Sequence, residues 1–209
     1  MTTSSIEPVP RSLRVHIAFA VTAWALLALA VAASGALRGA PPPLVPALIF
    51  GVTGAAVIAY LRSPRVRAFV ARMDARPAIA YHVVRIAFGL AFLRLGATDE
   101  LPDAFVRIAG PGDVVAGGLA IAAVVAASDL SSRARRAVVL GWNLIALADI
   151  LAVIVTAQRL ILFAHEPRML GMMSRFPFAT LPTFVVPMVL LTHLAVFVRL
   201  RAAARGERG

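Results

Sequence analysis

An all-α, polytopic transmembrane bundle of six spans is what this 209-residue sequence predicts, on three observations. Hydrophobic residues make up 60% of the chain and charged residues 15%, against roughly 45–50% and about 25% in soluble domains. A soluble fold of this size leaves about a quarter to a third of its unfolded surface in water, so it has no place for that much apolar area. Several stretches approach the roughly 20 apolar residues that cross a hydrocarbon layer, and the arginines cluster between them on alternate sides. At this length the chain reads as one membrane domain, residues 1–209.

The first span runs over about 13–33, after a polar start containing Pro8 and Pro10. Arg11 and Arg14 ahead of it, and small residues near Ser34 and Ala36, also suit a signal peptide. Signal-peptide cores are about 7–15 residues; this one is longer, which favours an uncleaved helix. The second span, about 44–61, follows Pro41, Pro42 and Pro43. The third, about 78–95, contains His82, Arg85 and Arg94. The fourth, about 114–127, is short, with Asp113 as its expected N-cap after Gly110, Pro111 and Gly112. The fifth, about 137–157, stays apolar except at Asn143 and Asp149, and beyond it only Gln158 and Arg159 interrupt the run to Ala164. The sixth, about 179–198, carries Pro182, Pro187 and His193. Pro187 lies inside the span, so it should free a carbonyl one turn earlier, near Thr183, and kink the helix.

Small residues mark expected helix contacts. Gly51, Gly54, Ala55 and Ala59 form a stripe on the second span, and Ala116, Gly117, Ala120, Ala123 and Ala127 form one on the fourth. Such stripes let backbones approach in lipid. They lack the polar groups of a pore lining.

The net charge is +11, and all basic residues are arginine. These lie in short clusters beside apolar runs, so nucleic-acid binding is not expected. The bilayer is the expected partner. Arg62, Arg65, Arg67, Arg72 and Arg76, then Arg133, Arg135 and Arg136, then Arg199, Arg201, Arg205 and Arg208 all share one side with Arg11 and Arg14. Arg38, the acidic Asp99, Glu100 and Asp103, and the 165–175 segment take the other. The positive-inside rule then puts both termini in the cytoplasm of a bacterial inner membrane.

Cysteine is absent, which excludes thiol catalysis and disulfides. No metalloprotease, P-loop or dinucleotide-binding motif is present, and serine is scarce in the spans, so no catalytic residues are assigned.

Ionisable groups inside a span cost about +2.5 to +3.5 kcal/mol each on insertion scales, and they usually face the interior and mark function. The candidates are His82, Arg85, Asn143, Asp149 and His193. Counted from the cytoplasmic end of each span at about 1.5 Å per residue, His82 lies ~6 Å in, Arg85 ~10 Å, Asn143 ~9 Å and His193 ~8 Å. Asp149 lies ~18 Å in and Arg94 ~24 Å, so either Arg85 or Arg94 can reach Asp149.

Three readings of this layer follow. It can be a static ion pair and hydrogen-bond set that fixes helix register. It can be a cytoplasm-facing polar pocket that binds or transports a small anionic or amphiphilic (lipophilic) molecule, with Arg85 contacting the anion. Or His82 and His193 can be the axial ligands of a haem b in a membrane redox protein. A separate segment on the other side, His165, Met169, Met172 and Met173, offers soft ligands for copper(I). The same stretch suits an amphipathic segment on the membrane face, anchored by Phe176 and Phe178.

Trp142-Asn143, Asp149, Pro177, Pro182, Pro187 and His193 together resemble a pattern in bacterial six-span integral membrane proteins of no assigned activity. The resemblance spans the third to the sixth helix and implies the architecture and location above, without a reaction.

The topology has a direct test. Cysteine placed at Arg67 or Arg135 should resist a membrane-impermeant thiol reagent in intact cells, and cysteine at Asp103 or Glu166 should react. Labelling at Arg135 from outside would overturn the six-span order.

Overall fold

The computed structural model describes residues 11–206; Pro8, Pro10 and Arg208, which enter the reading of the termini, lie outside the described residues. All regular structure among the described residues is helical: α1 (Arg11–Ser34), α2 (Leu44–Arg62), α3 (Pro64–Arg72), α4 (Ala75–Ala97), α5 (Asp103–Ala126), α6 (Arg133–Phe163), α7 (Pro167–Met173) and α8 (Leu181–Ala204). Six of them, all but α3 and α7, are long and apolar enough to cross a membrane.

Local chemistry explains the ends. The α1 helix ends at Gly35, whose φ of +70° is the left-handed conformation that glycine adopts without a Cβ clash. Ser63 caps α3 by accepting a hydrogen bond from the Val66 N–H, with Pro64 at the first helical position. Ser132 caps α6 in the same way toward Arg135.

The fourth span corrects the expectation. It begins at Asp103, not near 114, and Gly110-Pro111-Gly112 lies inside it. A proline in a helix removes one backbone bond, which a soluble helix seldom tolerates. In a membrane bundle, neighbours make the interruption tolerable. Asp113 is therefore no N-cap; it is a buried side chain in mid-helix. The fifth span also runs on to Phe163, ending in a π turn, Arg159–Phe163, closed by the Ala164 N–H on the Arg159 carbonyl.

The arginine-rich and acidic ends predicted from the chain are brought together in space. At one end Met73, Ala127, Leu130 and Leu200 pack together, and Arg199 Nε donates to the Met73 carbonyl. At the other, Arg168 pairs with Asp99 and Glu166, and Arg175 pairs with Glu100. Hydrogen bonds from Thr98 and Arg175 hold the Glu100 carboxyl below the usual carboxylate range, and Arg168 does the same for Glu166.

Helix α8 is the centre of the bundle: 61% of its apolar window is buried, against 11% for α1 and for α2. It begins with a π turn, Leu181–Val185, before Pro187. Pro187 leaves the Thr183 carbonyl without its helical donor, as expected, and Trp24 of α1 supplies one: Nε1 donates to that oxygen at 2.9 Å. The Trp24 ring meets Phe184 edge-on at 4.7 Å. Helix α1 thus docks on the break in α8.

The small-residue stripe on the fourth span is buried as expected at Ala116, Gly117, Ala120, Ala123 and Ala127. The stripe on α2 is not: Gly51, Ala55 and Ala59 are exposed, and a Cβ at Gly51 or Gly54 would meet nothing within 4 Å. Helix α2 packs instead through Val45 and Ile49. The closest approach joins α4 to α5. A Cβ at Gly89 would lie 2.7 Å from the Gly110 carbonyl oxygen, and one at Gly117 would lie 3.0 Å from the His82 carbonyl.

The α7 segment also differs from expectation. Met169, Met172 and Met173 are buried in the core with Phe178, while His165 is exposed. The methionines act as apolar filling, not as a ligand set displayed with His165, and only Phe176 of the two expected anchors is exposed.

Replacing Gly89 with Ala should push α4 off the α5 backbone and cost about 1–3 kcal/mol. The same change at Gly51 should be neutral or slightly stabilising in a helix. Thermal unfolding in detergent compares them; equal midpoints would show that the glycine contact is not what sets the α4–α5 distance.

Candidate functional site

Two apolar cores lie in the bundle. One, nearer the acidic end, contains Phe92, Phe105, Ile150, Met172 and Val189; the other, nearer the arginine-rich end, contains Ile79, Ala120, Val139, Ala146 and Val196. The polar residues from the spans collect in the layer between them. Residue 86 is the middle of α4 and residue 148 the middle of α6, so Arg85 and Asp149 each lie one residue from the centre of their helix. Asp113 is within two residues of the centre of α5, and Thr192 and His193 straddle that of α8.

Arg85 is 2% exposed and uses every guanidinium nitrogen. Nε donates to Asp113 Oδ1 at 2.6 Å, Nη1 to the Ala146 carbonyl at 3.0 Å, and Nη2 to Asp149 Oδ2. One cation from α4 therefore holds anions on α5 and α6. Arg94, the other expected partner of Asp149, is exposed. Asp149 fits because position 112 has no side chain: a Cβ there would lie 1.9 Å from Asp149 Oδ1. Asp113 is enclosed, whereas the Asp149 side chain retains 19% exposure.

The two histidines form a second group. His82 sits in a single 3₁₀ turn, Tyr81–Val83, within α4. Its Nε2 lies 2.9 Å from Thr192 Oγ1. The Thr192 hydroxyl donates to the Met188 or Val189 carbonyl, so His82 Nε2 is the donor to it. His193 Nδ1 donates to Asn143 Oδ1 at 2.8 Å, and Asn143 Nδ2 returns a bond to the His193 carbonyl at 3.3 Å. Each imidazole is then left with a buried acceptor nitrogen, His82 Nδ1 and His193 Nε2, that no described residue contacts by hydrogen bond. Trp142 closes the group. Its Nε1 donates to the Ala116 carbonyl, and its ring meets His82 edge-on at 4.9 Å.

All five residues expected at the site, His82, Arg85, Asn143, Asp149 and His193, lie in one layer. Arg85 reaches Asp149 across the difference in depth that the apolar stretches imply, as its long side chain allows. Asp113 is the member that sequence reasoning missed. Its signal was present: a carboxylate beside Gly110-Pro111-Gly112, within helical distance of a long apolar run. The turn residues outweighed it.

Two expectations about the layer change. His82, Asn143 and His193 are 0% exposed, so the layer is sealed on the arginine-rich side instead of opening there. Haem does not fit either. The imidazole centroids are 4.4 Å apart, in direct contact, with no slot for a flat macrocycle between them. The space that does exist is a cavity of about 30 Å³ against Arg85 and Asp113, walled by Phe88, Phe92, Phe105 and Val189. That volume admits about two waters.

A polytopic helical bundle with a charge cluster at its centre is the class that this architecture defines. Residues 42–201 match the family model described as a domain of unknown function, DUF8737, and the chain belongs to that family. The match covers every long helix except α1. No curated protein and no solved structure matches the chain.

Arg85→Gln should leave two buried carboxylates without their cation and cost about 3–5 kcal/mol. Adding Asp113→Asn to it should recover part of that loss. Denaturation in detergent measures both; a double variant no more stable than Arg85→Gln would mean that the pairing contributes nothing to stability.

Proposed function

We propose that the protein is a proton-linked membrane carrier and that the Asp113–Arg85–Asp149 cluster is its proton-binding site. The observation that carries this is the charge count at the centre of the spans. Two carboxylates share one guanidinium, and arginine does not give up its proton. One negative charge is left over where charge is most costly. A register pin needs only one anion for one cation. The additional carboxylate asks for one more cation, and a proton is the cation that needs no further ligands.

Asp149 is the exchanging member, because its side chain reaches the surface beside Gly112 while Asp113 is enclosed. The moving part is α8, whose π turn and Pro187 interrupt the helix just before the layer. Local breaks of this kind let a helix repack without losing the whole ladder.

The molecule carried belongs to the small anionic or amphiphilic class expected from the sequence. It does not bind at Arg85, which is buried and already faces an acceptor from each of its nitrogens. A bacterial inner membrane with the arginine-rich end in the cytoplasm is the setting that the positive-inside rule supports.

Infrared difference spectra of the purified protein test the proton site. One protonated-carboxyl band should vanish as the pH is raised, and that band should be missing in Asp149→Asn. If no such band titrates, or if Asp149→Asn keeps it, the cluster holds no exchangeable proton and the reading fails.

A further inference from the structure

The seam between α5 and α6 carries a second set of features at the acidic end, about 15 Å along α6 from Asp149 at 1.5 Å per residue. The antiparallel register runs from Gly112 beside Asp149 to Ala104 beside Thr156. Asp149, Ala152, Thr156 and Arg159 recur at helical spacing and share one face of α6. Exposed Val115, Ile108 and Ile145 flank this line, so the seam faces outward, toward the bilayer in a spanning bundle.

At its end the π turn opens a cavity of about 310 Å³, lined by Ala104, Thr156, Arg159, Leu160, Phe163 and Ala164. Its walls are apolar but for one hydroxyl and one guanidinium. The Arg159 guanidinium makes no hydrogen bond or ion pair with any described residue. Arg168 and Arg175, at the same end, are neutralised by acidic partners. Asp103 precedes Ala104 in the chain but forms no ion pair with Arg159 among the described residues. Phe163 is 79% exposed at the rim, as aromatic residues at a membrane–water boundary are.

We infer that this cavity is a binding site for an anionic phospholipid, with the phosphate of its headgroup on Arg159 and the start of an acyl chain against the apolar walls at Leu160 and Phe163. A cation with no acidic partner, set in an apolar-walled cavity at headgroup depth, attracts an anion. The apolar walls exclude a fully hydrated one. Guanidinium suits phosphate because its donors form a planar fork. Arg85 and its partners play no part in this site, which is independent of the proton-binding reading.

Native mass spectrometry of the detergent-purified chain, titrated with phosphatidylglycerol and with phosphatidylcholine, tests it. The anionic lipid should be retained about tenfold better, the gain of one charge-assisted contact. Arg159→Gln should bring the ratio close to one, and Arg159→Lys should keep most of it. Ala104→Phe, which fills the cavity and leaves the charge, should also abolish it. Arg94→Gln should change nothing. Equal retention of the two lipids, an unchanged ratio in Arg159→Gln, or displacement of the lipid by millimolar inorganic phosphate would overturn the assignment. The titrating carboxyl band of the midplane cluster should be the same in all four variants, so either proposal can fail without the other.

Discussion

Arginine keeps its proton in any protein environment, so Arg85 brings a full charge into the middle of the bundle and the helices around it must answer that charge. The answer is a carboxylate from α5 and another from α6, with the Ala146 carbonyl taking the third nitrogen. Each contact fixes a height as well as a distance, since a helix shifted by one turn would carry its carboxylate out of reach. The relative registers of α4, α5 and α6 are in this way set by a single side chain. The glycine contacts accompany it: Gly89 and Gly110 let the α4 and α5 backbones close up where Arg85 meets Asp113, and Gly112 leaves the gap that Asp149 fills.

The architecture was legible because it rests on composition and on long apolar runs. Six spans, and two ends that differ in their arginine and carboxylate content, needed only hydropathy and the positions of the charged residues. The buried layer was legible as a set, because a histidine, an arginine or an aspartate inside an apolar run is costly in lipid unless it turns toward polar partners in the bundle. What the sequence hid was set by tertiary contacts. Gly-Pro-Gly ahead of a run is the local chemistry of a loop, and only a neighbouring helix makes it helical. That one misreading concealed both the true start of the fourth span and the second acid of the cluster. The α2 stripe failed for the opposite reason. Small residues permit close packing but do not require it, and nothing local says whether a neighbour is present. The methionines of α7 have the spacing of a ligand set and equally that of a core face; burial decides for the core.

Closure of the layer changes what its polar groups can be asked to do. A guanidinium with open donors would be an anion receptor. Here each of its nitrogens already faces an acceptor, and the layer's imidazole nitrogens His82 Nδ1 and His193 Nε2 are left without a hydrogen bond. Two apolar cores separate the layer from both ends.

The dock of α1 on α8 bears on what counts as a complete folding unit. Residues 42–201 define the family domain, yet within them the Thr183 carbonyl has lost its donor to Pro187, and the replacement comes from Trp24, outside that range. An unsatisfied backbone carbonyl in hydrocarbon costs several kcal/mol. The domain as bounded by the family thus leaves one backbone acceptor for α1 to satisfy. A chain lacking the first helix would have to bind water at the break, straighten α8 or borrow a donor from another molecule.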